Sequence, residues 1–284
     1  MGKAPIQREH SKNVQSSFGF IDTLKNFNAP TLRQKGFKMV NMDTAAKRGN
    51  GGYKMQNTKI IKKERKPKEI RELTRKEEII HAITHGIPAL LSILGLILLI
   101  LKAIESGAVA VVGASIYGAS LIILYSASCL YHSSCIKYRS LEEGALRRVC
   151  QKIDHSMIFI LILGTYTPAC LTSLGGWVGW TIFGIVAFCS VLGMTLNFIS
   201  VKKFEKFALA LNLISGWMIV IAAIPFYNAI GQVGFNYLVA GGLFYTIGVI
   251  FYKLQNIPYM HVIWHIFVIA GSLMHYVMVY NFIY

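Results

Sequence analysis

Two histidines four residues apart, His261 and His265, have the spacing in this sequence that most clearly predicts chemistry. On an α-helix, side chains at positions i and i+4 lie on the same face, about one turn apart. This spacing is a usual way for a helix to offer two imidazoles to one metal ion. A pair of histidines that merely packs against neighbouring helices would look the same, so the spacing alone leaves both interpretations open.

Other ionisable residues lie in long apolar segments, where they are costly. An ionisable group at the centre of a membrane helix costs roughly 2.5–3.5 kcal/mol on insertion scales, so each such group needs a partner or a function. Asp154 is the acid of this kind, and it stands among seven histidines: His81, His85, His132, His155, His261, His265 and His275.

The composition predicts the scaffold that positions these residues. The chain has 284 residues, of which 54% are hydrophobic and 15% charged, whereas soluble domains carry about 25% charged residues. Most charges lie in the first 78 residues. The sequence therefore predicts an all-α membrane protein with two parts, a basic N-terminal tail (1–66) and a transmembrane domain (67–284).

Seven apolar segments in the second part predict seven transmembrane helices. Each is close to the roughly 20 residues that cross the hydrocarbon core. Pro67 is a good first-turn residue, and Thr74 and Glu77 form a capping box that marks the start of the first span. The predicted spans are 80–102, 108–132, 153–173, 177–199, 208–226, 233–252 and 260–283.

The basic residues predict the orientation. With the N-terminus in the cytoplasm, nine of the ten basic residues beyond residue 78 fall in inside segments, and Lys102 alone falls outside. Cytoplasmic loops are enriched in Lys and Arg. We therefore expect a cytoplasmic N-terminus and an external C-terminus.

The N-terminal tail is strongly basic. Residues 1–78 hold 19 Lys and Arg against 8 Asp and Glu. A low-hydrophobicity segment of this kind is expected to be disordered and to be attracted to anionic lipid headgroups. Nucleic-acid binding is disfavoured, because no recognisable nucleic-acid-binding fold accompanies the charge. The five cysteines form no CxxC pair and indicate no disulfide framework.

The predicted topology brings several of the polar residues to one depth. The second span ends at His132 near the cytoplasmic face. The third span begins there beside Asp154, and the seventh begins there beside His261. His275 lies ten residues beyond His265, about 15 Å deeper along the helix. It cannot join the same cluster.

These residues carry a resemblance to a known family. The segment 128–132 (SCLYH) matches an SxxxH motif, Asp154 matches a third-span aspartate, and 261–265 (HVIWH) matches the HxxxH motif of the hemolysin III family. That family lies within the progestin and adipoQ receptor (adiponectin-receptor-like) superfamily. Residues 78–86 resemble its first-span signature with one departure, because His81 stands where the family usually has Asn.

The resemblance implies a zinc ion bound by His132, His261 and His265, with a water in the fourth position. Asp154 would hydrogen-bond that water, and Ser128 would lie one helical turn before His132. For His81 and His85 we expect a packing role at a helix interface, and the next alternative is that His85 and Glu78 brace the site. His155 and His275 are expected to be packed or hydrogen-bonded histidines.

Three protein ligands and one open position are typical of catalytic zinc. Because the site lies within the bilayer, the resemblance favours a zinc-dependent hydrolase acting on a lipid amide such as ceramide, with Asp154 and Ser128 as catalytic residues. Two alternatives remain: a receptor or membrane-homeostasis regulator in which zinc is structural, and a cytolytic pore-forming hemolysin. Membrane lipids are the expected partners in each case.

Overall fold

A computed structural model describes residues 71–138 and 144–284, and the regular secondary structure of these ranges is entirely helical. In the described part of the chain, four short 3₁₀ or π segments extend or join the helices: Ile104–Ser106, Ala169–Leu174, Met218–Ala222 and Val279–Ile283. The predicted tail, 1–66, and the predicted helix start at Pro67 lie outside the described residues. The α-helices are α1 (Arg75–Ala103), α2 (Ala108–Lys137), α3 (Ala145–Pro168), α4 (Gly176–Gly216), α5 (Ala223–Lys253) and α6 (Met260–Met278).

Within residues 71–138 and 144–284, five helical stretches are long and apolar enough to cross a membrane: Arg75–Ser106, Ala108–Lys137, Ala145–Leu174, Gly176–Lys253 and Met260–Ile283. The fourth is 78 residues long and covers the fourth, fifth and sixth predicted spans. Its helical geometry breaks at Ser200 (φ −165°, ψ 107°) and Gly231 (φ 70°, ψ 174°). A change of φ and ψ at one residue is enough to redirect a helix, and both breaks lie in the gaps between the predicted spans, 200–207 and 227–232.

The capping box at the start of α1 is present as predicted. The Glu77 backbone N–H donates to Thr74 Oγ1 at 3.2 Å, and the Thr74 N–H donates to the Glu77 carboxylate at 2.9 Å. That carboxylate also accepts the Tyr259 N–H at 3.0 Å and pairs with the Arg71 guanidinium. Because Tyr259 is the N-cap of α6, Glu77 ties together the first turns of α1 and α6.

The helices show the exposure pattern of a membrane protein. Large apolar side chains cover the outside of α1, where Leu90 is 71% exposed and Leu91 62%. The interior of the bundle instead contains polar residues, among them Glu78, Ser128 and His132. Lipid-facing helices have this distribution because hydrocarbon, unlike water, does not penalise exposed apolar surface.

Glycines let the helices come close together in the interior. A Cβ at Gly193 of α4 would lie 2.0 Å from the Phe159 ring of α3. A Cβ at Gly241 of α5 would lie 2.2 Å from the His275 ring of α6. Small residues at such crossings are typical of membrane helix packing. Helix α1 contacts both α2 and α6, so the first and last helices of the bundle are neighbours.

Candidate metal centre

Three histidines from two helices meet at the start of α6. His132 comes from the end of α2, and His261 and His265 come from one face of α6. One donor atom from each lies within 4.8 Å of the other two. Three nitrogens bound to one zinc ion at the usual 2.0–2.1 Å would be roughly 3.3 Å apart. Side-chain shifts of about an ångström would thus bring the three nitrogens to that spacing.

Glu78 of α1 determines which nitrogen His132 can offer. Its carboxylate Oε2 lies 2.7 Å from His132 Nδ1. An ionised carboxylate only accepts hydrogen bonds, so Nδ1 carries the proton and Nε2 keeps its lone pair. Nε2 is buried and has no hydrogen-bond partner among the described residues. A histidine held by a carboxylate in this way is the usual arrangement of a metal ligand.

Thr84, one turn and a half beyond Glu78 along α1, determines which nitrogen His265 can offer to a metal. Its Oγ1 lies 2.9 Å from the His81 carbonyl oxygen and 2.9 Å from His265 Nδ1. A hydroxyl has one hydrogen, which the carbonyl must accept, so Thr84 accepts from His265 Nδ1–H. The Nε2 lone pair of His265 is then free to bind a metal.

Asp154 and Ser128 line one cavity together with His261 and His265. Ser128 is buried on α2, one turn before His132. Asp154 Oδ2 lies 3.5 Å from His155 Nδ1, which also lies 3.0 Å from the Gln151 carbonyl oxygen. The cavity runs from these polar groups between apolar walls formed by residues such as Leu124, Ile158, Leu161, Ile162 and Val268.

His275 lines the same cavity, away from the candidate ligands. Its Nε2 lies 3.1 Å from the Leu238 carbonyl oxygen, to which a neutral imidazole donates. The side chain is therefore the hydrogen-bonded histidine that the sequence predicted, outside the ligand group.

The first helix contributes more to the site than its sequence indicated. His81 and His85, expected to pack at a helix interface, are 0% and 4% exposed, and their rings contact the candidate ligands. Glu78, expected at most to brace the site, bonds directly to His132. The signal for this face was the i, i+3, i+7 spacing of Glu78, His81 and His85. The role of Thr84 had no such signal, because threonine is common in helices that cross membranes.

Comparisons with known proteins identify the family. A model of the family described as "Haemolysin-III related" matches residues 73–276. The chain is 41% identical over 200 residues to Hemolysin-3 of Bacillus cereus, a match that covers 70% of this chain and 88% of that protein. It is 40% identical over 200 residues to the Hemolysin-3 homolog of Bacillus subtilis strain 168, covering 70% and 91%.

A more distant relative extends the comparison to the superfamily. The human monocyte to macrophage differentiation factor is 26% identical over 174 residues, which cover 60% of this chain and 69% of that protein. Together with the apolar helices, these matches make the chain an integral, multi-pass membrane protein. It belongs to the haemolysin-III-related family, as its SxxxH and HxxxH motifs predicted.

Proposed function

We propose that the chain crosses the membrane seven times, with its N-terminus in the cytoplasm and its metal centre near that face. The 78-residue stretch Gly176–Lys253 is long enough for three crossings of roughly 20 residues each. Its breaks at Ser200 and Gly231 lie between those crossings. Lys202, Lys203 and Lys206 then fall on the cytoplasmic side, as the enrichment of basic residues in cytoplasmic loops requires.

The metal ion of this proposal is zinc. Neutral imidazole nitrogens suit zinc, and three protein nitrogens form a common zinc-binding set. The residues present fit the ion, because the Nδ1–H groups of His132 and His265 donate to Glu78 and Thr84 and leave the Nε2 atoms to bind the metal. Calcium and magnesium prefer oxygen ligands and fit this set poorly.

The function that we infer is hydrolysis of a lipid amide, such as a ceramide, to a fatty acid and an amine. The observation that supports it is the shared cavity, which Asp154 and Ser128 line together with His261, His265 and many apolar side chains. The walls would hold an acyl chain, and the polar end would receive the amide group.

In this proposal Asp154 transfers the proton and Ser128 stabilises the developing negative charge. A zinc ion would supply a Lewis acid and would make a water acidic enough to react at neutral pH. Asp154 accepts a proton from the attacking water and returns it to the leaving amine. Ser128 donates a hydrogen bond to the substrate carbonyl oxygen, where negative charge develops. Water adds to the carbonyl carbon, the C–N bond breaks, and the proton leaves with the amine.

The direct test is release of fatty acid from a synthetic ceramide by the purified chain in lipid nanodiscs. We expect turnover that a zinc chelator abolishes and that added zinc restores, because the reaction depends on the ion. Nanodiscs without the chain and a non-hydrolysable ether analogue of the substrate serve as controls. Absence of turnover across a panel of lipid amides with zinc bound would reject the hydrolase proposal.

A second candidate is a receptor or regulator in which the metal is structural. Hydrogen bonds and candidate ligands from α1, α2 and α6 meet at one point, where an ion would hold the three helices together. Removing zinc should then lower the thermal stability of the chain and should abolish no enzymatic turnover.

The names of the two bacterial relatives suggest cytolysis as a third candidate. For this function, the purified chain should release dyes from liposomes up to a size limit, and the His265→Ala variant should do so equally well.

A further inference from the structure

Four imidazole rings, rather than three, are nearly equidistant at the candidate metal centre. The six distances between their ring centres all lie between 4.7 and 5.3 Å. The rings belong to His81, His132, His261 and His265. Four mutually equidistant points are the corners of a tetrahedron, which is the coordination geometry that zinc prefers.

The observed ring spacing has the size that a zinc ion requires. With Zn–N bonds of about 2.0–2.1 Å, four imidazoles around one tetrahedral zinc have ring centres roughly 5 Å apart. The rings of His81 lie 4.7 Å from His132, 4.9 Å from His261 and 5.2 Å from His265. His81 is therefore as close to each candidate ligand as they are to one another.

The nitrogens of His81 are available for a metal. The side chain is fully buried, and neither Nδ1 nor Nε2 has a hydrogen-bond partner within the described part of the chain. Glu78 Oε2 lies 3.6 Å from His81 Nδ1, but it bonds to His132 at 2.7 Å. Buried polar atoms are rarely left unpaired, because each costs about 1–3 kcal/mol.

His85 has the same two unpartnered nitrogens but the wrong orientation. Its ring stacks on His265 with centres 3.6 Å apart and planes 16° apart. A nitrogen lone pair lies in the plane of its ring, so two stacked rings cannot both direct lone pairs at one nearby ion. The plane of His81 is instead inclined by 56° to 77° to those of the three candidate ligands.

We propose that His81 is a fourth protein ligand, so that the metal ion is bound by four histidines and has no open position in this conformation. A rotation of the His81 side chain would direct one ring nitrogen at the common centre. The proposal rests on the metal ion of the proposed function but not on hydrolysis. If the protein is a hydrolase, His81 must leave the ion before substrate or water can bind, and His81 then regulates access to the site.

X-ray absorption at the zinc edge tests this, because multiple scattering from imidazole rings counts the histidines bound to the ion. The samples are the full chain purified in detergent with zinc, the His81→Asn variant and the His85→Asn variant. We expect four imidazoles in the wild type, three in His81→Asn with an oxygen in the vacated position, and four in the His85→Asn control.

Three imidazoles and one oxygen in the wild-type protein would overturn the role of His81 and leave the zinc of the proposed function standing. Absence of zinc from every sample, wild type included, would overturn both the ligand role of His81 and the zinc ion of the proposed function. If His81→Asn fails to fold, the wild-type count alone decides between three and four.

Discussion

Replacing Asp154 with Asn is expected to lower the rate of lipid-amide hydrolysis by about 10²–10⁴-fold, the usual contribution of a general acid–base group. Asn has nearly the same shape as Asp but cannot accept the proton of the attacking water. Zinc content should not change, because Asp154 lies in the cavity wall rather than in the ligand group. The measurement is single-turnover release of fatty acid in nanodiscs, with bound zinc determined on the same sample.

The matched control is Glu105→Gln, which removes an exposed carboxylate just beyond the C-terminal end of α1, whereas the site lies near the N-terminal end of that helix. It should keep the wild-type rate. Equal rates for wild type and Asp154→Asn would remove Asp154 from the mechanism. Loss of zinc in Asp154→Asn would instead give the carboxylate a role in binding the metal.

The second large effect concerns the link between zinc and stability. Wild-type protein should gain about 4 kcal/mol of stability when free zinc is a thousand times its dissociation constant, because the ion binds only the folded chain. The double variant His261→Ala/His265→Ala should lose this gain, since it keeps only one of the three predicted ligands. The measurement is the thermal unfolding midpoint in detergent, with zinc and with chelator.

His275→Ala is the control for this second experiment. It removes a histidine of α6 from the same cavity but outside the ligand group, so its midpoint should still respond to zinc. A response to zinc that survives in the double variant would place the ion elsewhere in the chain.

Much of the scaffold could be predicted from local patterns. Thr74 and Glu77 predicted the start of α1 because a capping box satisfies backbone groups within one turn. Gly175 and Gly176 lie in the gap between the third and fourth predicted spans, and both have positive φ in the structure. The breaks at Ser200 and Gly231 were not predicted as single residues, because hydropathy records where a span ends but not how few residues redirect the chain.

The residues of the site could likewise be predicted only where the sequence pattern alone determines their position. His132, Asp154 and His261 could be placed at one depth because alternating spans bring their ends to the same face of the membrane. The tie between Glu77 and Tyr259 could not be foreseen, since it joins residues 182 positions apart. That tie places the histidines of α1 against those of α6, so the contacts of His81 and Thr84 depend on tertiary packing.

A metal ion bound between α1, α2 and α6 underlies the proposed function and both predictions above. The decisive measurement is metal content by plasma mass spectrometry on freshly purified full-length chain beside His261→Ala/His265→Ala. We expect about one zinc per wild-type chain and none in the double variant, because three donors are needed to hold zinc at a protein site. Wild-type protein without stoichiometric metal, or a double variant that retains it, would show that these histidines do not form a zinc site.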